Sequence, residues 1–267
     1  MKRDYLSYSA LKAFAKSPNH YLQYVNREFV ETPAMVLGSA LHCAVLEPDE
    51  YGNRYVIAPK FDRRTKAGKE QAEAWELAAD GKTHITAEQY QAVQAMKHAI
   101  RSHDVAFLLL QHTRREVPVE GELYGIPFKG IADAIGGGAV IDLKTCQDAS
   151  PDGFRRSASN FDYHLQAAIY TMLTDSNRFY WIAVEAAAPY NVAVYQPTHD
   201  SMAAAKEYLS QLVERFRKWD GEPVGYGENI YELDLPPWHP AVKAWNNPSA
   251  PVLDNNDTEF NSFINSL

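Results

Sequence analysis

Cysteine is nearly absent from this sequence: among 267 residues it occurs only at Cys43 and Cys146. Two cysteines so far apart form neither a disulfide framework nor the ligand spacing of a zinc finger. They also cannot supply the four thiolates of a Cys-ligated iron–sulfur cluster. We therefore expect two reduced thiols in a cytoplasmic protein, and we exclude a disulfide-stapled scaffold.

Long apolar runs are missing as well. No stretch of about 18 apolar residues is present, which excludes a membrane-spanning helix. The first residues, MKRDYLSYSALKAF, begin with basic side chains but lack the apolar segment of about 7–15 residues that a secretory signal needs. These absences predict a soluble cytoplasmic protein without a membrane partner.

Positive charge is in deficit, with 26 Lys and Arg residues against 34 Asp and Glu residues and a net charge of -8. Taken alone, this balance argues against a nucleic-acid partner, because binding to the phosphate backbone needs a positive surface. Net charge is an average, however. A metal site would concentrate carboxylates, and DNA contacts could still come from a local basic patch.

What is present is the profile of a globular protein, with 46% apolar and 22% charged residues. Hydrophobic periodicity predicts an α/β fold in which helices flank a central mixed β-sheet. The predicted helices cover 5–26 (broken near Pro18), 34–46, 67–79, 86–103, 161–175 and 199–219. The predicted strands cover 51–58, 114–121, 126–135, 139–145, 178–187 and 191–196, with a linker from 146 to about 160.

These elements predict a single domain over residues 1–245. Its first 110 residues should be mainly helical, and residues 111–220 should hold the sheet with its helices. Residues 246–267 contain three acids and no base, which predicts a flexible acidic tail.

The most informative stretch is a pair of strands joined by the glycine hairpin 136–138. Successive side chains of a strand point to opposite faces, so Asp142 and Lys144 share a face while Ile141 and Leu143 face the core. The hairpin can bring Asp133 beside Asp142. Two carboxylates and an ammonium on one patch suit metal-assisted phosphodiester hydrolysis. An ordinary surface hairpin with an Asp–Lys pair is the alternative.

Other residues can extend this site. His42 lies in a helix of apolar neighbours and is either a metal ligand or a satisfied core histidine. Glu116 either adds a carboxylate or faces solvent. Tyr163, Gln166 and Tyr170 share one helix face, which is either core packing or the edge of an active site.

Five segments make the sequence similar to the RecE family of exonucleases, within the PD-(D/E)xK nuclease superfamily. The resemblance covers roughly residues 5–240, and all five segments occur in the same order. They are LGSALHC at 37–43 with VLEP at 45–48, RRT at 63–65 with AGKE at 67–70, Thr83 with ITAE at 85–88, IDLKT at 141–145, and YHLQ at 163–166 with Ala168 and Tyr170.

The resemblance implies a Mg²⁺-dependent exonuclease, with Mn²⁺ as a substitute, that degrades one strand of duplex DNA from its 5′ end. By the same resemblance, the metal ligands are His42, Asp133 and Asp142. Lys144 and Gln166 complete the catalytic set. An alternative on the same scaffold is an endonuclease, and another is a DNA-end-binding protein with a decayed site.

Two departures from the superfamily pattern leave the ligand types unchanged. Ala132 replaces a frequent Pro, and Asp142 replaces the commoner Glu. The family resembles enzymes that form rings around DNA and work with a strand-annealing recombinase. The resemblance therefore implies DNA ends as substrate, a homo-oligomer such as a tetrameric ring, and a RecT-like partner of phage origin.

DNA contacts are expected from six residues near or within these motifs. A basic run at 60–69 is either a solvated loop or a DNA contact, and arginines between the catalytic strand and the following helix could hold a terminal phosphate. The six are Arg63, Arg64, Lys66, Arg155, Arg156 and Tyr163.

Overall fold

The computed structural model describes residues 4–79 and 81–225. Its N-terminal part is a set of helices around one small parallel strand pair. The helices are α1 (Tyr8–Lys16), α2 (Pro18–Asn26), α3 (Pro33–Leu46), α4 (Tyr51–Arg54), α5 (Lys66–Ala78), α6 (Ala87–Ser102) and α7 (Asp104–Leu110). The paired strands are β1 (Tyr55–Ile57) and β2 (Thr83–Ile85).

A five-stranded mixed sheet follows, which confirms the predicted fold class. Its strands are β3 (Arg114–Leu123), β4 (Ile126–Gly136), β5 (Ala139–Cys146), β6 (Arg178–Glu185) and β7 (Val192–Tyr195), and they lie side by side in chain order. The other helices are α8 (Pro151–Asn160), α9 (Tyr163–Thr174) and α10 (His199–Lys218). Strands β3 to β5 form an antiparallel meander, β5 and β6 are parallel, and β6 and β7 are antiparallel.

Local sequence signals account for the helix ends that were predicted. Ser17 separates α1 from α2, because its hydroxyl accepts a hydrogen bond from the backbone N–H of His20 while Pro18 begins the new helix. The start of α6 carries a capping box: Gln89 N–H donates to Thr86 Oγ1 at 3.1 Å, and Thr86 N–H donates to Gln89 Oε1 at 2.8 Å.

Three local predictions were wrong. The strand predicted over 51–58 is only three residues long, because 51–54 form a short helix. Strand β2 was not predicted at all. The linker predicted after residue 146 contains α8, whose N-terminus is capped by Ser150 accepting from Gly153 N–H at 3.2 Å. Only Phe154 and Ala158 anchor its inner face beside Gly153, and so short an apolar stripe gives a weak periodic signal.

The sheet carries hydrophobic cores on both faces, as alternation along β5 and β6 requires. Ile141, Leu143, Ile182 and Val184 pack toward the helical N-terminal part. On the other face, the core cluster is formed by residues of the sheet, α8 and α9, which include Val140, Phe154, Ala167, Phe179 and Trp181. The face that carries Asp142 is therefore covered by helices instead of being open to solvent.

No helix within residues 4–79 and 81–225 combines the length and apolar character that crossing a bilayer demands. The predicted domain end at 245 and the predicted tail over 246–267 lie outside the described residues.

Candidate active site

A fork between β4 and β5 positions the two aspartates. The strands pair from Gly136–Ala139 to Ala134–Ile141, and the ladder stops there. Beyond that pair, the Asp133 carboxylate takes the place of a backbone acceptor. Its Oδ2 accepts a hydrogen bond from the backbone N–H of Leu143 at 2.7 Å. Asp133 is thereby held beside the Asp142–Leu143 peptide, which agrees with the predicted approach of the two aspartates.

The alternation of β4 breaks at the same place. Ala132 packs with the α8–α9 side of the sheet, whereas Ala134 packs with the opposite side. In a regular strand, residues two apart share a face. The break at Asp133 lets its carboxylate lie at the fork, where it can be reached from both faces.

Asp142 is buried, and its side chain is only 6% exposed. Its Oδ1 accepts hydrogen bonds from Lys144 Nζ at 3.0 Å and from Gln166 Nε2 at 2.7 Å, and its Oδ2 lies 2.7 Å from the same ammonium. Burial raises the pKa of Asp142 to about 6; the Lys144 charge opposes this rise and the Asp133 charge adds to it. Burial disfavours the Lys144 ammonium, but the two aspartates outweigh it and raise the pKa of Lys144.

A second group of ligand atoms gathers on the α3 side of the fork. His42, Glu116 and Asp133 each place one ligand atom within 4.8 Å of the others, and His42 Nδ1 lies 3.5 Å from Asp133 Oδ2. All three line an open hollow of about 330 Å³. The structure thus brings the predicted ligands His42 and Asp133 together. It adds Glu116 to them, while Asp142 is engaged by Lys144 and Gln166 on the other side.

The register of the strands explains how Glu116 reaches the cluster. Paired residues Arg115–Ala134 and Val117–Ala132 flank it, so Glu116 stands opposite Asp133 on the neighbouring strand. Glu116 also has a φ of 47°, a left-handed conformation that is uncommon for a residue other than glycine. The sequence alone left two roles open for Glu116, a metal-binding carboxylate or a solvent-facing residue. A predicted β3–β4 register would have placed Glu116 opposite Asp133.

Charge within the cluster is balanced between the imidazole and the acids. Burial lowers the pKa of His42, but the Asp133 charge and hydrogen bond outweigh that effect, so the pKa is raised. Burial likewise opposes ionisation of Asp133, yet His42, Lys144 and the Leu143 N–H lower its pKa. The pKa of Glu116 is raised by burial and by the Asp133 charge. His42 and Asp133 thus favour each other's charged forms, whereas the Asp133 charge opposes ionisation of Glu116.

The donor set fits a divalent metal ion. Two carboxylates and an imidazole within 4.8 Å of one another, all partly exposed to the hollow, are ligand types that Mn²⁺ accepts, and the carboxylate oxygens suit Mg²⁺. The backbone hydrogen bond that orients Asp133 leaves its carboxylate within reach of this hollow. The described residues therefore include a carboxylate–histidine site able to hold such an ion.

Helix α9 completes the other wall of the site. Gln166 is buried and bonds Asp142, and the Lys144 ammonium lies 4.9 Å from the ring centroid of Tyr163. Tyr170, one turn further along, packs against β4 at Gly130, where a Cβ would come within 2.5 Å of the tyrosine hydroxyl. The face that carries Tyr163, Gln166 and Tyr170 therefore lies against the sheet beside Asp142, where Tyr163 and Tyr170 also pack against the hydrophobic core.

The five predicted DNA-binding cations each lie near an acid. The nitrogen–oxygen distances are 2.5 Å for Arg63–Glu76, 2.9 Å for Arg64–Asp62, 3.9 Å for Lys66–Glu70, 2.8 Å for Arg155–Asp152 and 3.9 Å for Arg156–Asp148. These pairs are exposed, and exposed pairs are weak, so they can be displaced. Among the described residues, none of these five cations forms an ion pair with His42, Glu116, Asp133 or Asp142.

A buried Asp-x-Lys strand beside a second aspartate, on a mixed sheet between helices, defines the PD-(D/E)xK class of nuclease folds. Residues 7–223 match the family of PDDEXK-like domains of unknown function (DUF3799), and the chain belongs to that family. Among curated proteins, no sequence matches this chain.

One solved structure shares the fold. A candidate exonuclease from Eubacterium rectale superimposes with a TM-score of 0.59 at 16% identity, covering 94% of this chain and 91% of the other. A phage-related exonuclease from Haemophilus somnus 129PT is 13% identical over 79% of this chain and 96% of its own, but its TM-score of 0.29 carries no weight. Identity this low establishes a shared fold alone, and the closer resemblance to RecE stays a prediction.

Proposed function

We propose that this protein is a Mg²⁺-dependent exonuclease that degrades the 5′-terminated strand of linear duplex DNA and leaves 3′ single-stranded overhangs. The observation that carries the proposal is the fork, where Asp133 is fixed beside the buried Asp142–Lys144 pair. The family match supports a nuclease, and nucleases of this class generally depend on a divalent metal.

The contacts of the residues at the fork suggest a separate role for each of them. His42, Glu116 and Asp133 would hold the metal, with Asp142 close behind them across the fork. When bound, the ion would polarise the phosphate and lower the pKa of a coordinated water. Lys144 is held by Asp142 at 2.7 Å and would place its positive charge where charge develops on the phosphate. Gln166 positions the Asp142 carboxylate through its own 2.7 Å bond.

Strand polarity, DNA ends as substrate, a ring-shaped homo-oligomer and a RecT-like annealing partner are proposed from the resemblance of five segments in register. The 3′ overhang is the product that an annealing recombinase would take up. Arg63, Arg64 and Lys66 remain proposed backbone contacts, and Arg155 and Arg156 remain proposed contacts to a terminal phosphate.

The test is degradation of linear duplex DNA labelled at either the 5′ or the 3′ end, with Mg²⁺, with Mn²⁺ and with EDTA. We expect early release of the 5′ label, retention of the 3′ label, and no reaction in EDTA. A closed circular duplex serves as the matched substrate without ends, and Asp142→Asn as the inactive enzyme.

Each alternative predicts a different result. Nicking of the circle at a rate similar to that of the linear duplex would show an endonuclease and overturn the proposal. Binding of DNA ends without metal-dependent release of nucleotides would show an end-binding protein. Early release of the 3′ label would keep the nuclease and refute its polarity.

A further inference from the structure

A groove between α1, α2 and the start of α3 concentrates positive charge. It encloses about 420 Å³, and the cations on its wall include Lys12, Lys16 and Arg27. Lys12 and Lys16 are one helical turn apart on α1, so both face the same side. In a chain with a net charge of -8, such a grouping is a local exception to the overall balance.

These cations differ from those of the basic run at 60–69. Arg63 and Arg64 each have a carboxylate within 3 Å. Within residues 4–79 and 81–225, by contrast, the ion pairs closer than 4 Å include none formed by Lys12, Lys16 or Arg27. Asp162 acts on Lys12 and Lys16 at longer range, and Arg27 contacts aromatic rings, so among the described residues no direct ion pair neutralises the three cations.

Aromatic rings are interleaved with the cations at the far end of the groove. The Arg27 guanidinium lies 4.9 Å from the ring centroid of Tyr24 and 5.8 Å from that of Phe29. Phe29 is 62% exposed, although burying a phenylalanine side chain would lower the free energy of the folded protein. Cations beside exposed rings form the surface on which phosphates and unpaired bases are held together.

At its near end the groove leads to the active site through a row of contacts. Lys12 Nζ lies 5.6 Å from the ring centroid of Phe161, which is 50% exposed. The Phe161 ring stacks on Tyr163, with centroids 5.7 Å apart and planes inclined by 21°. Tyr163 in turn lies 4.9 Å from the ammonium of Lys144. These contacts link the cations of the groove to the Asp142–Lys144 pair through Phe161 and Tyr163.

This combination favours a single strand over a duplex. Exposed rings along a groove can stack on successive bases only where these are unpaired, because a duplex offers a ring no more than its terminal base pair; stacking tolerates any sequence. Phosphate contacts from lysine and arginine likewise carry no sequence information. A groove whose Lys12 is linked to Lys144 through the rings of Phe161 and Tyr163 is suited to one strand passing to or from the site.

We propose that the groove lined by Lys12, Lys16 and Arg27 is a single-stranded DNA-binding track that feeds the active site over Phe161 and Tyr163. The inference rests on the proposed nuclease function for its substrate class. It assigns to α1 and α2 a role in DNA binding that was predicted from the sequence for the basic run at 60–69, for the arginines of α8 and for Tyr163.

The test measures binding of a fluorescein-labelled 20-nucleotide oligo(dT) by anisotropy in EDTA, so that no cleavage is needed. The variant is Lys16→Gln with Arg27→Gln, both exposed residues. The control is Lys206→Gln with Lys218→Gln on α10, which changes the net charge equally. A single strand loses a salt slope of about 0.7 for each phosphate contact removed, so two contacts predict a loss of about 1.4 in slope and about 25-fold in affinity near 0.1 M salt.

Phe161→Leu separates stacking from charge. We expect it to weaken oligo(dT) binding about tenfold, the effect of losing one stacked base, and to leave binding of an abasic 20-mer unchanged. The Lys16–Arg27 variant should weaken both probes. Thermal unfolding of each variant within a few degrees of the parent would confirm that its fold is intact.

Three outcomes would overturn the track: unchanged oligo(dT) binding by the Lys16–Arg27 variant, equal weakening by the α10 control, or a blunt 20-base-pair duplex that loses affinity by the same factor. Failure of the nuclease proposal would look different. The parent would then bind oligo(dT) through the groove but release no nucleotides in Mg²⁺.

Discussion

Replacing Asp142 with asparagine should stabilise the protein while removing its activity. Burial raises the pKa of Asp142 to about 6 despite the neighbouring Lys144 ammonium, against 3.8 for a free carboxyl. Each pKa unit corresponds to about 1.36 kcal/mol between the two protonation states. Keeping this carboxyl ionised in the folded protein therefore costs about 3 kcal/mol, and an amide of the same shape avoids that cost.

The effect has a defined pH window. Because the folded pKa lies above the unfolded one, the carboxyl is neutral in both states below about pH 4, and the parent then lacks the penalty. As the pH rises through 6, the unfolded chain gives up its proton first and the stability of the parent falls. The difference between Asp142→Asn and the parent should thus be near zero at pH 4 and rise to at most about 3 kcal/mol by pH 8.

Lys144 limits this gain, because Asp142 is the largest of the charges that favour its ammonium. Its side chain is 18% exposed, and the Asp133 charge still favours its ammonium after Asp142 is neutralised. The substitution therefore does not create an isolated buried charge, which would be strongly destabilising.

Thermal unfolding between pH 4 and pH 8 in EDTA measures the difference directly. In a chain of this size, 1 kcal/mol shifts Tm by about 2–4 °C, so the variant should unfold above the parent at pH 8, by at most about 6–12 °C. The exposed Glu207→Gln removes one carboxylate from α10 and should leave Tm almost unchanged. An Asp142→Asn protein that melts at or below the parent at pH 8 would refute the reasoning.

Lys144→Ala should slow single-turnover cleavage by about 10²–10³-fold, because it removes a positive charge that stabilises the developing charge on the phosphate. Its Mn²⁺ binding, measured by calorimetry, should stay equal or tighten. Cleavage at the parent rate would remove the chemical basis of the proposed nuclease. Burial raises the pKa of Cys146 to about 11, so at pH 8 iodoacetamide should alkylate it about 100-fold more slowly than in the urea-unfolded chain, and equal rates would contradict the burial. Phe14→Ala should cost about 3–5 kcal/mol in urea unfolding, because its ring is buried against Tyr21 and Phe216, whereas a loss below 1 kcal/mol would mean that this cluster is loosely packed.

Elements whose signals are local were predictable from the sequence. Strands β4 to β6 were predicted from the alternation over 139–145, the glycine hairpin and the apolar run from 178. The alternation of side chains between the two faces of a strand depends on the local sequence alone. The break at Pro18 and the capping box at Thr86 followed from hydrogen bonds between residues at most three apart. Helix α8 escaped detection because little of its surface is apolar.

The types of residue that form the candidate site could also be predicted from the sequence. Asp142 and Lys144 had to share a face, and a hairpin had to bring Asp133 near them. The positive run at 60–69 was equally visible, but its pairing with acids was not, because Arg63 meets Glu76 only after α5 has formed and docked.

What the tertiary structure alone decided is which groups surround those residues. The burial of Asp142 depends on α9, whose Gln166 lies 24 positions along the chain. Glu116 joined His42 because of strand register and a break in β4, and the groove of Lys12 and Arg27 arose from the packing of separate helices. Periodicity specifies the face of a strand or helix, but not the element that covers that face. That choice depends on long-range packing, and here it determines the ionisation, the ligand set and the route to the site.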